Sequence, residues 1–338
     1  MKITSLAPCR ISLVGGGTDV DPFASTYGGQ VLNLTVNLYH QVILRPHSST
    51  KINLEALGES RDLVLTKNRF IYGTDKKFDL LRAIINYFLV KIPSGFSLKV
   101  LSPKTNVLGL GRSGSAAVAA VGAFNSWLKT NLNRKEIGLL ASDLEINDLG
   151  WPGGKQDGLA AAYGGVNLMS FGPGDKTRVL PLKLTKKAQT EFHRRIFMVF
   201  VGGDRHSADQ QKKLVTGMSD KQKLTAMFAL KKAVPPAVSA LKKEDWPGLG
   251  RILNQGWEDK KKSNPAATNP IIDKFYALAL KSGAYGGKIS GSGGAGNMFF
   301  LIPPQKKQSA VKALVKAGAA AVDFTLDNQG LTVKKYDN

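Results

Sequence analysis

The chain carries a single cysteine in 338 residues. Cys9 alone builds neither an internal disulfide framework nor a multi-cysteine zinc site, and its isolation fits a reducing, cytoplasmic compartment. Acidic residues are scarce beside basic ones: 25 Asp and Glu against 47 Lys and Arg, a formal net charge of +22. That excess points to an anionic partner, whether nucleic acid, an acidic membrane surface or a phosphorylated small molecule. No apolar stretch approaches the roughly 18 residues of a spanning helix. Arg10 interrupts the mildly apolar start of the chain, so no signal peptide is expected. The four histidines, His40, His47, His193 and His206, show no metal spacing. No G-x-S-x-G elbow supports serine-hydrolase chemistry.

What is present describes a globular protein. With 43% hydrophobic and 21% charged residues, disorder, collagen and coiled coil are excluded as global descriptions. The length suggests about two domains. Strands are predicted over Arg10–Val14, Val31–Val36, His40–Leu44, Phe96–Leu101, Arg195–Val201 and Asn297–Ile302. Helical spacing covers Leu80–Val90, Arg134–Leu149, Lys221–Leu241 (interrupted near Pro235-Pro236), Trp246–Lys262, Ile271–Ser282 and Gln305–Ala317. Ser115–Leu128 is apolar almost all round and reads as a buried helix. Gly, Pro and Asp between Phe171 and Asp175 mark a domain seam, dividing the chain into 1–172 and 173–338. The run Lys260-Lys261-Lys262 reads as a solvated helix face rather than a nucleic-acid site.

The 36 glycines are clustered. Gly15-Gly16-Gly17-Thr18-Asp19 is one group, Gly109-Leu110-Gly111-Arg112-Ser113-Gly114-Ser115 a second, Gly153-Gly154-Lys155-Gln156-Asp157-Gly158 a third, and Gly286 to Gly296 a fourth. Glycine allows sharp turns and close backbone approach, so four such loops suggest a ligand clasped mainly by backbone. The second group matches G-x-G-x-x-G, but it lies seven residues beyond its strand, and no acid for a ribose follows about 20 residues on. Its physical content is a Gly/Ser loop opening a helix, whose free N–H groups favour phosphate. A plain serine N-cap is the other reading. Asp157 fits either an N-cap or a general base held near a cation. Glu145 and Asp148, at i and i+3, fit either a magnesium-binding carboxylate or a solvated helix face.

In their order and spacing the four loops resemble the GHMP small-molecule kinases. Ala7-Pro8-Cys9-Arg10-Ile11-Ser12-Leu13-Val14 with Gly15 to Asp19, Gly109 to Ser115, Gly153 to Asp157 with Ala161 to Gly165, and Gly287 to Gly296 carry that resemblance along the whole chain. Within the family they are similar to the sugar-kinase branch of heptose 7-phosphate kinases and fucokinase domains. The resemblance implies an α+β, two-domain fold: an ATP-binding domain like ribosomal protein S5 domain 2, then a ferredoxin-like C-terminal domain, with the active site between them. It implies ATP phosphates on Gly109, Leu110, Gly111, Arg112, Ser113, Gly114 and Ser115. Ser113 and Glu145 match Mg2+ ligands, and Asp157 the catalytic aspartate, with Arg10 and Lys155 assisting. Arg10, Gly17, Thr18, Asp19, Asp157, Gly291 and Gly293 match positions facing a sugar or sugar phosphate. Many relatives carry a small polar residue where this chain has Arg112.

The activity this resemblance implies is ATP- and magnesium-dependent phosphorylation of the anomeric hydroxyl of a sugar or sugar phosphate, a heptose 7-phosphate, with a kinase for a free fucose-, mannose- or galactose-like sugar as the alternative. A basic nucleic-acid-binding protein is the competing reading, disfavoured because aromatic-basic interleaving is lacking. No membrane partner is expected.

Overall fold

The computed structural model describes residues 1–73, 76–174, 176–203 and 221–337. Two long strands, β1 (Lys2–Val14) and β2 (Gly29–Pro46), form the spine of the larger sheet. Where the sequence predicts two strands, Val31–Val36 and His40–Leu44, a single one runs through. Its neighbours are the reason. β2 pairs β1 on one edge and, on the other, holds β6 (Val166–Gly172) through Gly29–Leu34 and β5 (Phe96–Leu101) through Gln41–Pro46. A register shift opposite Pro8/Cys9 absorbs the extra residues Asn37 and Leu38.

Outward from β5 lie β3 (Lys51–Ala56), its parallel partner, and β4 (Glu59–Val64). β7 (Lys176–Pro181) pairs β6, and β12 (Thr332–Tyr336) covers the free edge of β1 from Lys2↔Tyr336 to Leu6↔Thr332. Helices Arg112–Leu128 and Gln156–Tyr163 pack directly on this sheet, with Arg134–Asp143 against both of them and Asp79–Phe88 against Arg112–Leu128. Ile3, Val42, Leu44 and Phe96 from the strands meet Ile84, Phe88, Val121 and Phe124 in one core. Phe124 stacks on Phe88 with ring centroids 5.4 Å apart.

The second sheet has the order β11 (Ala320–Val322), β8 (Ile196–Phe200), β10 (Asn297–Leu301), β9 (Gly286–Ile289), all antiparallel. Alternation decides its two faces. Phe197, Val199, Ile289 and Phe300 pack under helices Pro270–Lys281 and Pro304–Lys316. Met198, Phe299 and Leu301 face the other way, into a core shared with Ile11, Leu13, Leu32 and Leu34 of the large sheet and with helices Val234–Lys242 and Trp246–Ser263. An apolar seam of this kind holds the two halves as one body around whatever lies at its rim.

Several expectations need correction. The boundary at 172/173 falls inside the β6–β7 hairpin, where Gly172 pairs Lys176. With β12 back on β1, the large sheet takes strands from both expected domains. (Asp175 lies outside the described residues, as does His206.) The helix expected to run to Leu149 stops at Asp143 and continues as a π-helical turn, Leu144–Asp148. Lys221–Leu241 is broken next to its prolines as expected, into Lys221–Lys232 and Val234–Lys242, with Pro235 and Pro236 in the first turn of the second. Among the described residues no helix is long and apolar enough to cross a membrane.

Candidate active site

Segments far apart in sequence meet at Arg10. Its backbone N–H donates to the Leu110 carbonyl at 2.9 Å. Its guanidinium, only 5% exposed, uses all three nitrogens. Nε donates to Asp157 Oδ1 at 2.7 Å, Nη2 to Asp157 Oδ2 at 2.8 Å, and Nη1 to the Gly109 carbonyl at 2.7 Å. A planar fork matched to a carboxylate fixes orientation as well as charge. Asp157 occupies the first turn of helix Gln156–Tyr163, so this contact joins β1, the second glycine loop and the third.

The second and fourth glycine loops cross. A Cβ on Gly109 (φ +86°) would stand 2.6 Å from the Ser290 carbonyl oxygen, and one on Gly291 (φ +74°) 2.8 Å from that of Gly109. Both need glycine for conformation and for space. Just past the crossing, helix Arg112–Leu128 begins with no acidic residue in its first turn. The first-turn N–H groups therefore present the helix's positive end to the space in front of it.

Two serines in this turn have opposite fates. Ser113 is exposed, and its hydroxyl hydrogen-bonds Glu145, which the π-helical turn carries. Burial, with the charge of Asp157 added, pushes the Glu145 carboxyl up to about 7, against the pull of Ser113. Ser115 is fully buried and turned inward. Its Oγ lies 2.7 Å from His40 Nδ1 and 3.6 Å from Cys9 Sγ, and donates to the Arg112 carbonyl at 3.1 Å. Burial holds His40 down at about 4 and Cys9 up at about 11. Ser115 is thus a structural brace for the loop, contrary to its expected place on the phosphates. Leu110 is likewise a core residue, and Gly114 is covered by Asp157.

A cavity of about 470 Å³ opens in front of these groups, a size suited to small-molecule ligands. Gly109, Gly111, Arg112, Ser113, Glu145 and Trp151 line it together with Gly16, Gly17, Asp19 and Gln156, and Arg10 and Asp157 stand in the same wall. The Asp19 carboxylate accepts from the Gly17 N–H at 3.1 Å, from Gln156 Nε2 at 3.2 Å and from the Gln156 N–H at 3.3 Å. Burial first, then the charge of Asp157, pushes its pKa up. Thr18, Gly293 and Lys155, expected in the site, are not in this lining. The Thr18 hydroxyl donates to the Gly15 and Gln30 carbonyls, Gly293 packs on Ala267, and Lys155 precedes helix Gln156–Tyr163 as its cap residue.

Lys260 is a cavity residue that the sequence reading sent to solvent. It is 8% exposed and donates to the Gly291 carbonyl. The available signal was its spacing of three from Trp257, which is fully buried and so marks the inward face of helix Trp246–Ser263. Lys262, two residues on, is exposed as expected.

Two family models match the chain: the GHMP kinases N terminal domain over residues 79–165 and the GHMP kinases C terminal domain over 237–320. A D-glycero-alpha-D-manno-heptose 7-phosphate kinase from Campylobacter jejuni is 33% identical over 332 residues, 97% of this chain and 98% of that protein. The chain belongs to the GHMP kinases. Its fold matches the crystal structure of a D-glycero-D-manno-heptose 1-phosphate kinase from Bacteroides thetaiotaomicron, with a TM-score of 0.83, 29% identity, and 99% and 100% of the two chains covered. The mevalonate kinase of Pyrococcus furiosus is similar at 24% identity over 99% of each chain.

As a GHMP kinase the protein is a phosphotransferase with an alcohol acceptor and ATP as donor. Its N-terminal family segment contains the Gly109–Ser115 loop, Glu145 and Asp157, and its C-terminal segment contains Lys260 and Gly291. Both segments thus supply walls of one cavity.

Proposed function

We propose that this kinase transfers the γ-phosphoryl group of ATP to the anomeric hydroxyl of a phosphorylated sugar, a heptose 7-phosphate. The reading is carried by the Arg10–Asp157 pair in the cavity wall, between the positive helix end and the Asp19 pocket. The 33% identical relative is named for a heptose 7-phosphate substrate. The net charge of +22 suits an acceptor that is itself an anion.

Phosphoryl transfer asks mainly for positioning and for dispersal of charge. Asp157 receives the proton of the acceptor hydroxyl, and Arg10 holds both its oxygens in place. The first-turn N–H groups and Arg112 take the phosphate oxygens. Asp19, Gln156 and the Gly16-Gly17 backbone hold the sugar's other hydroxyls.

Mg2+ fits the donor set. Ser113 and Glu145 offer adjacent hard oxygens, and among the described residues no cluster of three or more His, Cys, Asp or Glu makes a closed cage. An ion held by one carboxylate, one hydroxyl, phosphate and water is the usual magnesium arrangement. When bound, it would neutralise charge on the β and γ oxygens.

The test is kcat/KM for matched phosphorylated and free sugars at low salt and at about 0.5 M salt, where the screening length falls to a few ångströms. A preference for the phosphorylated acceptor that shrinks with salt is expected. Heptose 1-phosphate, with its anomeric oxygen blocked, should be inert. Equal use of the free sugar, or turnover of the 1-phosphate, would overturn the assignment of acceptor.

A further inference from the structure

Glu145 and Asp148 share the π-helical turn Leu144–Asp148, but they face different partners. Glu145 lines the cavity and accepts the Ser113 hydroxyl. Asp148 is not in that lining. Its Oδ2 accepts from the Tyr72 hydroxyl at 2.6 Å, and its Oδ1 from Arg69 Nη2 at 3.1 Å. The Tyr72 oxygen in turn accepts from Asn86 Nδ2 at 2.9 Å.

Residues 65–73 form neither helix nor strand, yet the backbone on both sides of Tyr72 is pinned by helix Asp79–Phe88. Buried Asn86 accepts from the Phe70 N–H at 2.7 Å and donates to the Phe70 carbonyl at 2.9 Å. Asp79 accepts from the Gly73 N–H at 3.0 Å. What this clamp presents to the turn is one phenol on Asp148.

The turn itself is closed by the Leu149 N–H on the Leu144 carbonyl at 3.1 Å. Such a π turn is rarer than the α turn it replaces, so contacts outside it favour its shape. Leu144, its first residue, is buried in the core of the large sheet. Asp148, its last, is held by Tyr72. Glu145 therefore stands between an apolar anchor and a hydrogen-bonded one.

We propose that Tyr72 is a positioning residue for the metal-binding carboxylate: through Asp148 it holds the π turn in the shape that keeps Glu145 against Ser113 and facing the cavity. The inference rests on Glu145 binding Mg2+, as the proposed function has it. Asp148 serves as the acceptor of the Tyr72 hydrogen bond, not as a second ligand. Removing an outer group that orients a metal ligand costs about 10–100-fold in metal affinity, and with the turn in between, a loss of about tenfold is expected.

Electron paramagnetic resonance tests this by counting free Mn2+, which like Mg2+ favours oxygen ligands. The metal is titrated into the whole chain, held in excess over a non-hydrolysable ATP analogue. Tyr72→Phe, which removes one oxygen, should weaken Mn2+ binding about tenfold, while KM for the acceptor sugar stays unchanged. Asp148→Asn keeps an oxygen for the Tyr72 hydroxyl and should bind Mn2+ as the wild type does. Asp148→Ala should behave like Tyr72→Phe. Glu145→Gln should weaken binding as well, and adding Tyr72→Phe to it should cost nothing further, because the group being positioned is gone.

Wild-type Mn2+ affinity in Tyr72→Phe overturns the proposal, even if its melting temperature falls, since packing alone would do that. An added loss in the double variant overturns it too. Equal losses in Asp148→Asn and Asp148→Ala would mean that Asp148 acts by its charge, again against the proposal. Unchanged affinity in Glu145→Gln would instead overturn the metal reading, and the proposal with it.

Discussion

Gly114 backs directly onto Asp157. A methyl group added there would stand 2.8 Å from the Asp157 Cβ and 3.1 Å from its carbonyl carbon. The helix whose first-turn N–H groups face the cavity and the helix that carries the carboxylate therefore fix each other's position. Gly114→Ala must push them apart at the point where donor and acceptor meet. An error of about 1 Å in such a geometry costs roughly 10²-fold in rate. We expect kcat to fall by about that factor while circular dichroism stays native. An unchanged kcat would mean that the spacing of the two helices is not what sets the reaction geometry.

Asp157→Asn should lower kcat by about 10²–10⁴ with little change in ATP affinity, the range for a lost acid–base group. It also leaves Arg10, buried and charged, without its anion, so a lower melting temperature should accompany the loss. Near-normal turnover by the folded variant would remove Asp157 from the chemistry.

The Glu145 carboxyl, ordinarily near 4.5, is held up at about 7 by burial. A raised carboxyl pKa favours the folded protein in acid, and that stability is lost as pH rises through the interval from 4.5 to 7. Glu145→Gln has no such loss. Its melting temperature relative to wild type should therefore be higher at pH 8 than at pH 5. A magnesium ion held by Glu145 would also have to displace the proton, so on that assignment the half-saturating Mg2+ concentration should rise as pH falls below about 7, by up to tenfold per unit. A midpoint that stays flat from pH 8 to pH 6 would exclude Glu145 as a ligand.

Lys260→Met removes the donor to the Gly291 carbonyl and one cation from the cavity wall. Loosening of the loop crossing and loss of charge both act on substrate capture. The expected result is a KM for ATP or for the phosphorylated sugar raised about tenfold or more, in keeping with the loss of a hydrogen bond to a charged group. KM values unchanged for both substrates would show that Lys260 is packing alone.

The glycine loops were legible because glycine is needed where two backbones touch, and that need survives in one dimension. The crossing of Gly109 with Gly291 is the physical event behind two of them. Side-chain direction was harder to read. Ser113 and Ser115 stand in the same loop with the same chemistry. Two positions apart on a helix they point to nearly opposite faces, so one meets Glu145 in the cavity and the other meets His40 in the core. Lys260 was lost to its charged neighbours, since a run of three lysines hides which one follows the buried face of Trp257. The β3–β4 and β6–β7 hairpins and β12 were not read. β4, β7 and β12 are largely exposed and carry little alternation, and what holds these elements is pairing with strands elsewhere in the chain. The domain boundary failed for the same reason, because a turn within a hairpin has the composition of a linker.

The pairing of Lys2–Leu6 with Thr332–Tyr336 has a consequence for biosynthesis. β1, made long before its partner, must wait with that edge bare until residues 332–336 are made. A nascent chain that stalls before then holds an unpaired ribbon, open to any other strand it encounters. Rapid completion, or a chaperone on that edge, decides how much of the newly made chain matures.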